Sequence, residues 1–464
     1  MPMQAPEERT KNLNEVAEGF TEEMAVREAL RCLQCREHPC MTEGCPVSNH
    51  IPDFIRKITE GEYEEAYQIL METTVLPAVC GRVCPKYLQC EGNCVRGEKG
   101  RPVAIGVLER FVADLHRRRV LAGELQEPVS MEKDPTGKKV AVIGSGPAGL
   151  ACAKDLASAG YQVTIFDRAE VPGGVLAYGI PSFRLPDEVL SFEIEGLAAA
   201  GVQFEAGKEL GKDITLDSLL GELGFSAVFL GNGTGSPMGL GIPGTELSGV
   251  ISAADFLDRL NTAGGDEKKL AEVLPGAKTI AIIGGGNVAM DACRSAVRIP
   301  GVEKVSVIYR RSVLEMPADP AELAEATEEG VEFVYLTAPL TVQGEGGRVT
   351  GLLCQKMELS EPDASGRRKP VPVEGSDHVI PVDVVIEAIG SRSENHILDG
   401  VDVNERGLVV VDPETLATGR EGVFAGGDTV TGPKTVIAAM GAGRKAARAI
   451  DHYLKKKGIN GAYE

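Results

Sequence analysis

Two stretches of this 464-residue chain carry the same rare local pattern, and it limits the folds open to them. Residues 138–168 read KKVAVIGSGPAGLACAKDLASAGYQVTIFDR, and residues 277–312 read AKTIAIIGGGNVAMDACRSAVRIPGVEKVSVIYRRS. In each, an apolar strand breaks into a Gly-rich turn, continues as a helix and returns as a second strand. Such βαβ units close right-handed and build parallel sheet, so two of them imply two doubly wound sheets. The chain is therefore expected to be α/β, with two Rossmann-like dinucleotide-binding domains.

The turns imply nucleotide chemistry. In the first unit Gly144 allows the tight turn, Gly146 lets the backbone approach a pyrophosphate, and Gly149 lets the helix pack on the strand. Pro147 and Ala148 open that helix, whose free N–H groups face phosphate. Asp167, followed by Arg168, ends the second strand, where an acid accepts from a ribose. In the second unit Gly284, Gly286 and Ala289 repeat the turn, with Asn287 and Val288 at the helix start, and Ala in place of the third Gly loosens the fit. No acid follows its second strand. Arg310 and Arg311 stand there instead, which suits a 2′-phosphate and so NADP(H) rather than NAD(H). The bland alternative is a solvated basic turn.

Other segments fit a flavin. GGVLAYGIPSFRLP, residues 173–186, is too long for a simple turn and contributes Gly174, Val175 and Arg184 as candidate contacts. Near the end, Gly427 and Asp428 follow a strand-like run, and Asp428 is placed to accept from a ribityl hydroxyl. Lys434, Thr435 and Val436 begin a helix whose dipole suits an electron-rich ring. The runs 227–235 and 384–392 each end in a Gly-rich turn that can carry the chain between two domains. The expected organisation is thus a helical region 1–125, a linker 126–139, a flavin domain 140–255 resumed at 384–464, and a nicotinamide domain 256–383 inserted in it.

Eight of the eleven cysteines lie between Cys32 and Cys94. They fall into Cys32, Cys35, Cys40 and Cys45, then Cys80, Cys84, Cys90 and Cys94. Cys-x-x-Cys runs with Cys-Pro endings hold iron–sulfur clusters, and eight thiols suffice for two of the 4Fe–4S type. A disulfide framework suits small secreted domains. Zinc prefers paired Cys-x-x-Cys knuckles, and only one such pair is present. Cys152 and Cys293 sit in apolar helical stretches as small hydrophobes, and Cys354 is isolated. The formal net charge of −20 argues against nucleic acid and anionic membrane. With a polar N-terminus and no long apolar run, the chain is expected to be cytoplasmic.

Together RCLQC…CPV, CGRVCP…CEGNC, GSGPAGL, GGVLAYGIPSFRLP, GGGNVAMD, YRRS…EMPA and AGGD resemble one family over nearly the whole chain. It comprises the small subunit of NADPH-dependent glutamate synthase and the large subunit of NADH-dependent reduced ferredoxin:NADP oxidoreductase. The N-terminal half of dihydropyrimidine dehydrogenase is a more distant cousin. The resemblance implies FAD, NADP(H) and two 4Fe–4S clusters with crossed ligands. Cys32, Cys35, Cys40 and Cys94 would hold one cluster. Cys45, Cys84 and Cys90 would hold the other with Glu109, leaving Cys80 spare, although Cys80 as eighth ligand or Glu109 as an ordinary helix-surface carboxylate stays open. It also implies a redox partner: a glutamate synthase large subunit, or an oxidoreductase small subunit that gives indirect access to ferredoxin and makes the flavin a site of bifurcation. No glutaminase nucleophile and no late Cys pair of a disulfide reductase is present. Hydride transfer needs no side-chain acid or base, so no catalytic residue is expected. A standalone NADPH:acceptor reductase is the alternative, and a non-catalytic scaffold is disfavoured by the intact glycines and Asp428.

Overall fold

The computed structural model describes residues 1–125, 137–362, 368–393, 398 and 400–460. Most of the expected linker, residues 126–136, lies outside the described residues. The region before it is helical, as its periodicity predicts. Thr21 caps the helix Glu22–Ala29 by accepting from the Met24 N–H at 3.3 Å. The apolar run from Ile51 is divided into helices Ile51–Glu60 and Tyr63–Met71 by Gly61, at a φ of 78°. Helix Pro77–Val83 packs tightly on helix Ile105–Leu121. A Cβ on Gly81 would stand 2.6 Å from the backbone nitrogen of Arg110, so only glycine permits that approach.

Two five-stranded parallel sheets follow. The first runs Val423–Ala425, Ala227–Leu230, Lys139–Ile143, Gln162–Phe166, Gln203–Glu205. The second runs Val250–Ser252, Val384–Glu387, Thr279–Ile283, Lys304–Ile308, Glu332–Val334. In each, the strand before the Gly-rich turn is central and buried on both faces, which is why it reads as an unbroken apolar run. Cys152 and Cys293 are fully buried in the helices behind these turns.

Strand pairing moves the expected domain boundaries. Val250–Ser252 and Val384–Glu387, assigned from sequence to the two flavin-domain halves 140–255 and 384–464, pair within the second sheet. The chain crosses between folds on a two-stranded ribbon, Ser236–Pro237 against Ser391–Arg392. An antiparallel sheet of Thr337–Glu345, Arg348–Leu359, Pro370–Pro372 and His378–Ile380, absent from the sequence reading, is added to the second fold. Among the described residues no helix is long and apolar enough to cross a membrane.

A buried ion network joins the parts. Glu329, with its side chain wholly buried, pairs with Arg9, Arg294 and Arg298 at 2.7–2.8 Å. Despite desolvation, bonds from Arg298 and Arg294 hold its carboxyl down at about 2. Glu329→Gln should leave uncompensated buried cations and lower stability by about 3–5 kcal/mol, read as an earlier denaturation midpoint. Because the folded pKa is depressed, the carboxylate's contribution is complete above the unfolded value of about 4.3 and fades as pH falls towards 2.

Candidate functional site

The first nucleotide turn is built by close contacts. A Cβ on Gly144 would stand 2.6 Å from the Gly231 carbonyl, and one on Gly149 only 1.9 Å from the Gly144 carbonyl. Gly146 faces open space where helix Pro147–Ser158 begins, a cradle for phosphate. Asp167 Oδ2 accepts from both the backbone N–H and the hydroxyl of Ser145 at 2.6 Å, and Ser145 Oγ in turn accepts from the Gly173 N–H at 3.0 Å. The carboxylate placed for a ribose therefore also locks the turn. The sequence reading passed over Ser145, though its place inside the fingerprint marked it. Gly174 packs on Gly146, Val175 is exposed beside them, and Arg168 reaches the loop at Gly235.

On the opposite side of this site, Gly427 lies against Ala148, and Asp428 Oδ1 accepts from the Lys434 N–H at 3.1 Å. Burial raises the Asp428 carboxyl to about 6. Helix Val436–Asn460 then begins, and Thr435 just before it accepts from the Gln89 side chain at 3.3 Å. Arg184 lies at the seam between the two nucleotide folds, bound to Asp291 at 2.7 Å and Glu322 at 2.8 Å.

In the second fold, Gly286 also faces open space at the start of helix Asn287–Ala296, with Val288 exposed and Ala289 buried beneath. Asn287 accepts from the Asp319 N–H at 2.9 Å, which ties the EMPA segment to the turn. Beyond strand Lys304–Ile308, Arg310 is exposed and the Arg311 Nε is buried with no hydrogen-bond partner. A buried guanidinium donor without a partner at the ribose end of a nucleotide fold fits a missing anion.

The cysteines occupy two places. Cys32, Cys35, Cys40 and Cys94 line one cavity with Ile51, Ile55, Val103 and Ile105. Gln34 and His38 adopt left-handed φ of 49° and 47°, and these turns wrap the loop around the cavity. Burial is the main cause that raises the Cys32 thiol and pushes Cys40 up to about 12. Cys45, Cys84, Cys90 and Glu109 meet elsewhere. Burial lifts Cys45 to about 11 and Cys90 well above the usual range, and the nearby Glu109 and Cys84 add to both. Cys84 is lowered, first by a bond from the Cys80 thiol, then by Lys86 and the Ile437 N–H, against burial. Glu109 is 8% exposed, not a surface carboxylate, and burial raises its pKa strongly. Cys80 is fully buried, 3.6 Å from Thr74 Oγ1 and 3.7 Å from Met440 Sδ.

Among the described residues no group of three or more His, Cys, Asp or Glu is gathered as for a single metal ion. The four thiols of the first set line one cavity, and a four-iron cluster takes four cysteine ligands.

Comparison with known proteins agrees with this layout. Residues 9–120 match the family model for dihydropyrimidine dehydrogenase domain II, 4Fe-4S cluster, and residues 138–443 match pyridine nucleotide-disulphide oxidoreductase. The chain is 38% identical to the glutamate synthase [NADPH] small chain of Escherichia coli, covering 95% of this chain and 94% of that one. It is 42% identical to the NADP(+)-dependent formate dehydrogenase subunit beta of Moorella thermoacetica over 90% of this chain, but spans only 60% of that relative's length. Among solved structures, Mycobacterium tuberculosis FprA in complex with NADPH superposes with a TM-score of 0.57 at 20% identity, over 70% of this chain and 86% of that one, a likeness of fold. An iron–sulfur domain followed by two nucleotide folds, with near-full-length kinship to the small chains, makes this protein a member of the pyridine nucleotide-disulphide oxidoreductase family, in the branch of the glutamate synthase small chains.

Proposed function

We propose that the protein is an NADPH-dependent iron–sulfur flavoprotein that exchanges hydride between NADP(H) and FAD and passes single electrons through two 4Fe–4S clusters to or from a partner subunit. One observation carries the reading. Asp428 and Lys434, bonded to each other just before helix Val436–Asn460, are the residues proposed for the flavin, and the Ile437 N–H in the first turn of that helix bonds Cys84 of the second cysteine set. The proposed two-electron and one-electron sites thus adjoin along residues 428–437.

The bound cofactors supply the hydride and electron chemistry, and the chain supplies position and charge. Gly144, Gly146, Gly149 and Asp167 hold the FAD diphosphate and ribose, and Asp428 holds the ribityl chain. Gly284, Gly286 and Ala289 hold NADPH, with Arg310 and Arg311 on its 2′-phosphate. Cys32, Cys35, Cys40 and Cys94 hold the first cluster, and Cys45, Cys84, Cys90 and Glu109 the second.

The first cysteine cavity is lined in part by the exposed Leu33 and Arg96, and the segments around them expose charges of both signs, Arg36 and Lys99 beside Glu37 and Glu98. The electron-accepting or electron-donating partner is a redox subunit of glutamate synthase large-subunit or ferredoxin:NADP oxidoreductase small-subunit type, and a rim of mixed charge sets its register rather than demanding a face of one sign. Anaerobic co-purification separates the two, since only the former brings glutaminase activity. For the cofactors themselves, anaerobic reconstitution should give roughly eight iron atoms and a single FAD per chain. Zinc with no visible chromophore would overturn the reading.

A further inference from the structure

One short segment near the N-terminus touches the helical region and both nucleotide folds. Glu15 pairs with Arg82 at 2.7 Å and with Arg110 at 3.0 Å, on the helix that Cys84 directly follows and on the helix that carries Glu109. The Ala17 carbonyl accepts from Arg110 at 2.8 Å. The Val16 N–H donates to the Phe183 carbonyl at 2.9 Å, and the Ser182 hydroxyl donates to the Leu13 carbonyl at 3.3 Å, so the same segment grips residues 182–183 of the first nucleotide fold. Leu13 packs against the apolar core of the second fold. Arg9, 1% exposed, then reaches helix Pro320–Glu328 and its end: Nε to Glu329 and Nη2 to Glu328, both at 2.8 Å, and Nη2 to the Glu325 carbonyl at 3.1 Å.

Beneath this segment lies the seam between the nucleotide folds. The Phe183 ring, buried, is covered by the guanidinium groups of Arg298 at 4.1 Å and Arg294 at 5.0 Å. Asn261 of the second fold donates to the Ala177 and Ile180 carbonyls of the first, both at 3.0 Å. The chain itself crosses between the folds only on the two-residue ribbon strands Ser236–Pro237 and Ser391–Arg392. Two domains joined by so slight a connection are expected to rock against each other unless their interface resists it. Fork-shaped, charge-assisted bonds from a buried arginine do resist, because opening would strand buried charges.

We propose that residues 9–17 form a strap that fixes the second nucleotide fold against the first fold and the cluster-bearing helices, and that Arg9 is a positioning residue for hydride transfer, acting through Glu328 and Glu329. The inference rests on the hydride exchange proposed above. Its physical basis is the steep dependence of transfer on geometry, since a misplacement of about 1 Å costs up to about a hundredfold in rate.

The test is anaerobic stopped-flow reduction of the flavin by NADPH in the reconstituted parent, Arg9→Ala and Arg9→Lys. In Arg9→Ala, Glu329 keeps Arg294 and Arg298, so its own charge stays compensated. The limiting first-order constant at saturating NADPH should fall by about ten- to a hundredfold, with NADPH affinity, iron and FAD content close to the parent's. A merely structural role would change the fraction folded but not that constant in loaded molecules. Arg9→Lys keeps the charge without the fork and should fall between the two. If Arg9→Ala does not yield loaded protein, Arg9→Lys decides, a slower constant supporting the strap and the parent's constant overturning it. Loaded Arg9→Ala with the parent's constant overturns it too. A parent that NADPH does not reduce sinks the oxidoreductase reading, which is a different result from a parent that is reduced and a variant that matches it.

Discussion

Glu109→Ala is expected to cost the protein one of the two clusters proposed for it. Iron should fall from roughly eight atoms to roughly four, with the remaining cluster spectrum unaltered. Glu109 lies on helix Ile105–Leu121, 8% exposed, near Cys84 and charge-coupled to Cys45 and Cys90. Burial raises its pKa strongly, as it does those of Cys45 and Cys90, and a carboxylate so desolvated needs a strong partner. Cluster iron is such a partner. Oxygen is a harder ligand than thiolate and matches cluster iron less well, so this cluster should differ in potential from its all-cysteine neighbour. Glu109→Cys should keep the full iron content and shift one midpoint potential in a redox titration. Cys80→Ala should keep both proposed clusters, since that thiol donates to Met440 Sδ at 3.7 Å and lies 3.6 Å from Thr74 Oγ1. If Cys80→Ala loses a cluster while Glu109→Ala keeps both, Cys80 is the eighth ligand and the assignment is wrong.

The second large effect concerns coenzyme choice. Arg310→Ala combined with Arg311→Ala should weaken NADPH binding by about ten- to a hundredfold and NADH binding little, measured by anaerobic titration. A hydrogen bond to a charged group is worth about 1.5–3 kcal/mol, and that energy converts to about one to two decades of affinity. The structural ground is the position of the pair just past strand Lys304–Ile308 and the buried, partnerless Arg311 Nε. Equal losses for both coenzymes would show that the arginines do not read the 2′-phosphate.

Much of this was legible along the chain because it is local. A Gly-rich turn between strand and helix is encoded within about a dozen residues. Both units stand where that pattern predicts, with Gly144 and Gly149 wedged where a Cβ would clash. The ribbon forms at the end of the run 384–392 and just after the run 227–235. The family resemblance grouped Cys94 with Cys32, Cys35 and Cys40, and those four line one cavity.

The sequence alone thus determined the kinds of element, the two nucleotide turns and the cysteine inventory, since each is written in spacing and in the conformational limits of Gly and Pro. Only the tertiary structure decided which strands pair, which carboxylate is buried, and what holds the folds to one another. Val384–Glu387 reads equally well as a strand of either sheet, and its hydrogen bonds to Thr279–Ile283 choose the second. Glu109 looks like a polar residue on an amphipathic helix until Pro77–Val83 closes over it across Gly81. Arg9 and Glu329 are separated by 320 positions, with no local signal linking them. Pairing, burial and ion-pairing of this kind depend on which surfaces meet in space, and that is settled by the packing of the whole chain rather than by any window of it.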